Sequence, residues 1–240
     1  MDGRVHGDLA PEVVSALCDR RAGIGADGVL RVMRSDGEAA WFMDYRNADG
    51  SVAEMCGNGV RVFARYLAAT RLVSTSEPLA VATRGGTRHV TFCDDGEISA
   101  DLGVPTVTGE VKVGVEGRSY DALSVGMSNP HAVAFVDTLD EVGELRDAPD
   151  YSADDFPDGV NVEFITGPAG NIRMRVHERG VGETRSCGTG AVAAAAVALG
   201  GPGTCTVDVP GGRLTVTVMP ETTTLTGPAV IVAEGRTNLL

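Results

Sequence analysis

Two stretches of this 240-residue chain are apolar over a helical length, and the same short signal precedes both. Residues 191–199 are all Ala, Val or Leu. A helix with no polar face has to be buried all round. Residues 60–67 form the other run, broken only by Arg61, Arg65 and Tyr66. The signals are Met55-Cys56-Gly57-Asn58-Gly59 and Ser186-Cys187-Gly188-Thr189-Gly190, each a cysteine followed by Gly-x-Gly. A strand-like run, residues 39–45, lies ahead of the first. Ahead of the second, Ile172, Met174 and Val176 alternate with Arg173, Arg175 and His177, the pattern of a half-buried strand. After each apolar run come two β-rich segments around a Gly-Gly pair: residues 79–83 and 88–92 around Gly85-Gly86, then 204–209 and 214–218 around Gly211-Gly212. Gly-Gly between such segments predicts a hairpin.

The same order of elements twice predicts an α+β protein of two pseudo-symmetric halves. Wrapping strands about the apolar helix is the simplest way to bury it, so each half reads as a curved antiparallel sheet or barrel around a central helix. The cysteine then stands at the mouth of each half, with the active site expected in the cleft between them. The halves are taken as residues 1–112 and 113–240, joined near residues 102–116, with the final strand free to return to the first half. A third segment, Ser128-Asn129-Pro130-His131, runs into a strand-like 132–136, and Asn161 sits in Gly159-Val160-Asn161-Val162-Glu163-Phe164.

Composition narrows the function. Hydrophobic residues make up 43 %, enough for a real core. The net charge of −13 makes nucleic acid and anionic membrane surfaces poor partners. The N-terminus lacks a signal-peptide core and no apolar run is long enough to span a bilayer, so a soluble cytoplasmic protein is expected. A homodimer stays open. Five cysteines with no Cys-x-x-Cys pair argue against a disulfide framework and a zinc cluster. The sole lysine, Lys112, lies in an alternating strand pattern and reads as solvated. It is a poor Schiff-base residue, so amino-acid chemistry here is expected to run without pyridoxal phosphate. Neither cofactor nor metal is expected.

Glycines between a cysteine and a helix leave backbone N–H groups open at the positive end of the helix dipole. Such an end lowers a thiol's pKa and holds a carboxylate. Two of them suggest one site with two thiols and an anionic ligand. A lone cysteine before an apolar helix is usually a small buried hydrophobe, the reading kept for Cys18, Cys93 and Cys205. The repeat favours chemistry for the other two. So do Asn47 and Glu178, each nine positions ahead of its cysteine (56 − 47 and 187 − 178). Asn47 with Asp49 also suits a turn, Asn161 a strand-end cap, and Arg179 a surface charge.

At residues 43–50, 54–59, 129–131, 159–163 and 178–190 the sequence resembles diaminopimelate epimerase. The last stretch, Glu178-Arg179-Gly180-Val181-Gly182-Glu183-Thr184-Arg185-Ser186-Cys187-Gly188-Thr189-Gly190, is highly specific. The resemblance implies interconversion of LL- and meso-diaminopimelate, on the lysine and peptidoglycan pathway, in a pair of helix-centred barrels. It implies that Cys56 and Cys187 are acid and base. Gly57, Asn58, Gly188 and Thr189 would cradle the reacting carboxylate. Asn47, Asn129, Asn161, Glu178 and Arg179 would bind the distal end, with His131 and Glu178 tuning the cysteines. The chain departs from the family's usual start: residues 1–19 hold no His-Gly-x-x-Asn-Asp-Phe-like segment, so the first family strand and one further asparagine are expected to be missing. Two other readings compete, a proline-type racemase and a non-catalytic thiol protein. The former lacks the Glu-Arg-Gly-x-Gly-Glu-Thr run.

Overall fold

The computed structural model describes residues 9–237 and divides into two compact units. The first runs up to Ala100 and takes in the chain again from Pro228; the second is Asp101–Gly227. The expected N-terminal departure falls partly on residues 1–8, outside those described; from Pro11 to Cys18 the chain forms helix α1.

The first unit continues with β1 (Gly28–Arg34), β2 (Trp41–Asn47), α2 (Gly57–Ala69), β3 (Leu79–Thr83), β4 (Gly86–Phe92) and β5 (Ile98–Asp101), the strands lying side by side in chain order. Helix α2 buries Val60, Phe63, Ala64 and Leu67 against β1, β2 and β4. A smaller cluster of Leu9, Val14 and Cys18 holds α1 near Val29 of β1. Arg31 and Asp44 face each other across β1 and β2. The Asp44 side chain is fully buried, with the guanidinium nitrogens of Arg31, Arg46 and Arg84 at 3.0, 2.9 and 2.7 Å. Burial pushes its carboxyl up, but hydrogen bonds and charge from Arg46 and Arg84 outweigh that and leave it below the usual value.

The second unit holds β6 (Thr106–Val115), β7 (Arg118–Gly126), β8 (Pro130–Phe135), β9 (Asp150–Tyr151), β10 (Asn161–Thr166), β11 (Asn171–Glu178), β12 (Gly182–Thr184), α3 (Gly188–Leu199), β13 (Gly203–Val209), β14 (Gly212–Val218) and β15 (Thr223–Gly227). Its strand order is β15-β14-β13-β11-β10-β8-β7-β6-β9, with β12 beside β11. Helix α3 touches β7, β8, β10, β11, β13, β14 and β15, so one sheet surrounds it. Residues 188–195 are buried without interruption, as an all-apolar helix requires, whereas 196–199 are half-buried where the helix emerges at a left-handed Gly200.

The repeat read from sequence is present in the pairing itself. β1-β2-β3-β4-β5 and β10-β11-β13-β14-β15 share one order, and in both the successive pairings run antiparallel, parallel, antiparallel through the first four strands. The sheets are therefore mixed, not antiparallel as expected. A strand that leads into a helix and out again returns in its own direction, which makes β2/β3 and β11/β13 parallel. A third parallel pair joins β8 to β10. Neither unit's strand order closes on itself.

Candidate active site

Each cysteine sits at the N-cap of its helix in extended backbone, Cys56 for α2 and Cys187 for α3. Each sulfur accepts a hydrogen bond from the amide three residues on: Gly59 N to Cys56 Sγ at 3.2 Å, Gly190 N to Cys187 Sγ at 3.4 Å. Thus sulfur does what a serine oxygen does at an ordinary cap. The first N–H groups of any helix lie beyond the reach of its own carbonyls, and such ends attract anions; Gly57, Asn58, Gly188 and Thr189 stand in the first turns of α2 and α3.

The loops carrying the cysteines are pinned in the same way. The first glycine of each Gly-Gly hairpin donates to the carbonyl two residues before the cysteine: Gly85 N to Glu54 O at 2.9 Å, Gly211 N to Arg185 O at 2.8 Å. A Cβ on Gly211 would stand 2.9 Å from that carbonyl, which is why a side chain is excluded there. Sequence reasoning read these glycines only as turns.

The two surroundings differ in charge. Beside Cys56, the buried Arg61 donates to Gly57 O at 3.2 Å and to Asn58 Oδ1 at 3.0 Å. Burial draws its guanidinium down to about 10, while Cys56 and Glu97 hold it up. Beside Cys187 lie carboxyls. Burial above all, then Glu178 and Glu163, push the Cys187 thiol well up, against the Thr189 hydroxyl at 3.5 Å and the Gly190 amide. This reverses the expectation that a helix N-terminus lowers the pKa: desolvation and two carboxyls outweigh one long amide contact.

The expected binding residues are mostly held by neighbours. Asn47 closes a turn, its Nδ2 donating to Ser51 Oγ at 3.0 Å. Asn161 opens β10 and ties two loops, Nδ2 donating to Pro130 O and Oδ1 accepting from Arg179 N, both at 3.0 Å. The Arg179 guanidinium donates to Asp158 O at 3.0 Å, and Glu178 accepts from the Thr184 hydroxyl. His131 is wholly buried; its Nε2 donates to Asn129 Oδ1 at 3.0 Å, and its Nδ1 lies 2.7 Å from Glu163 Oε1. In this way Asn129, His131, Glu163, Asn161, Glu178, Arg179, Cys187 and Thr189 fall in one unit, and Asn47, Cys56, Gly57 and Asn58 in the other. Sequence reasoning missed Glu163 and Arg61.

The family model described as diaminopimelate epimerase matches residues 2–108 and 123–238. The chain belongs to the diaminopimelate epimerase family. It is 53 % identical to the diaminopimelate epimerase of Streptomyces coelicolor over 253 residues, which covers 95 % of this chain and 87 % of that one. It is 48 % identical to the diaminopimelate epimerase of Corynebacterium glutamicum over 97 % of this chain and 90 % of that one. Among solved structures it is similar to a hydroxyproline epimerase from Agrobacterium vitis, with a TM-score of 0.67 at 17 % identity over 90 % of this chain and 77 % of that one. That likeness is one of fold. As a member of the diaminopimelate epimerase family the protein is an epimerase, an isomerase by class.

Proposed function

We propose that the protein interconverts LL- and meso-diaminopimelate by acid–base catalysis with Cys56 and Cys187, in the cytoplasmic route to lysine and peptidoglycan. The observation that carries this reading is the pair of glycine-flanked helices, each capped by a cysteine sulfur. An α-hydrogen is weakly acidic, and its removal builds negative charge on the α-carbon and its carboxylate. Amides at the head of a helix are pre-aimed at that charge and need no reorganisation as it develops. Gly57, Asn58, Gly188 and Thr189 supply them. One thiolate removes the proton and the opposite thiol returns one to the other face, which inverts the centre. Asn47, Asn129, Asn161, Glu178 and Arg179 engage the distal amino-acid end, and small-molecule substrate is the sole partner the mechanism needs.

The lysine chemistry supports a reaction without a Schiff base. Lys112 is 73 % exposed in its side chain on β6 and pairs with Asp121 at 2.5 Å, which raises its pKa. A charged, solvated ammonium is the wrong nucleophile for an aldehyde cofactor.

Direct assay tests the reading. The purified chain is expected to convert LL-diaminopimelate and to leave proline and alanine unchanged. Arg179→Met is expected to raise KM for diaminopimelate by about 10- to 100-fold, the loss of one charged hydrogen bond of roughly 1.5–3 kcal/mol. Equal turnover of proline by the unaltered protein sinks the substrate assignment.

A further inference from the structure

Superposing the two repeats by register sets one residue apart. β1 and β10 hold equivalent places in the repeated strand order, and the third residue of each is Leu30 and Glu163. Leu30 pairs with Tyr45, two before Asn47; Glu163 pairs with Val176, two before Glu178. Both lie under the first turn of their helix. A Cβ added to Gly59 would stand 3.2 Å from Leu30 Cδ2, and one added to Gly190 would stand 2.4 Å from Glu163 Oε1. One scaffold thus fills the same place with an apolar side chain in the first unit and a carboxyl in the second. Packing alone accepts leucine there. Burying a carboxyl instead costs free energy.

The carboxyl has little compensation. Glu163 is wholly buried, and its Oε2 has no hydrogen-bond partner among the described residues. Its Oε1 lies 2.7 Å from His131 Nδ1. The titratable groups facing Glu163 are His131 from β8, Glu178 from β11 and Cys187 at the head of α3.

We propose that Glu163 is a positioning residue: it fixes His131, and through it Asn129, and its carboxyl beside the first turn of α3 keeps the proton on Cys187. Burial raises the Glu163 carboxyl, His131 draws it back down and Glu178 raises it further, so its charge is tied to its neighbours. This rests on the proposed role of Cys187, and its test is kept free of turnover.

Alkylation of Cys187 by iodoacetamide, followed by peptide mass spectrometry across pH, reads the thiolate directly. Glu163→Gln keeps the shape and removes the ionisable carboxyl. It is expected to lower the midpoint of Cys187 alkylation by about one pH unit, a roughly tenfold faster reaction at pH 7. An unchanged or raised midpoint overturns the proposal. Should the variant fail to fold, 13C-carboxyl NMR of the unaltered protein decides: the Glu163 signal is expected to shift through the Cys187 midpoint, and independent titration overturns it. Loss of the epimerase reading would show separately, as absent turnover with the alkylation shift intact.

Discussion

Replacing Cys56 or Cys187 by alanine is expected, on the proposed mechanism, to reduce epimerisation by about 10³-fold or more, because each change would remove the proton donor or acceptor on one face of the α-carbon. The isotopic pattern is sharper still. Under the proposed mechanism, in deuterium oxide the thiol that delivers the new proton would already have exchanged with solvent, while the other would hold the hydrogen it had just removed. Early product is expected to carry deuterium at the inverted carbon and remaining substrate to keep its hydrogen, in both directions of reaction. A single base crossing the site would return some original hydrogen to product. Mass spectrometry of product below about 5 % conversion checks this, and an alanine variant that still inverts near the normal rate rules the two-thiol mechanism out.

Asp44→Asn is expected to lower the unfolding free energy by about 3–5 kcal/mol at pH 7, since it leaves the guanidinium groups of Arg31, Arg46 and Arg84 around a neutral amide. The effect is pH-dependent with a definite sign. A carboxyl held below its ordinary value of 3.8 stabilises the fold fully above that value, and the contribution drains away as pH falls through the lower folded value. Urea unfolding at pH 7 and at pH 2.5 is therefore expected to show a wider gap between the two proteins in the first case than in the second. A gap of equal width at both would assign Asp44 a purely steric role.

Much of this was legible in sequence, and what was not has physical reasons. The helices α2 and α3, the hairpins after them and the doubled order follow from apolar runs and glycine pairs, which are local signals. Strand direction was not local: β2/β3 and β11/β13 are parallel because of the helix between them. Glu163 stood inside an apolar stretch, and its partner His131 lies 32 positions earlier, so only the parallel pairing of β8 and β10 brings them together. Arg61 read as one polar break in an apolar helix, though it lies four residues after Gly57 on the same face and returns a hydrogen bond to it. The pKa direction of Cys187 depended on its 6 % exposure, which spacing does not encode.

The sulfur caps have a consequence for inhibitor discovery. Cys56 Sγ and Cys187 Sγ each satisfy an amide at the start of a helix, so an electrophile that adds bulk to either atom strips that helix of its cap as it blocks the thiol. Loss of a cap costs roughly 1 kcal/mol. Covalent occupancy would then register as a lowered melting temperature, the opposite sign from an ordinary ligand, which stabilises what it binds. Of the two thiols, half-buried Cys56 is the faster to react with bulky reagents, and the 6 % exposed Cys187 favours small ones. A thermal screen could thus separate warheads from reversible substrate mimics by the direction of the shift alone.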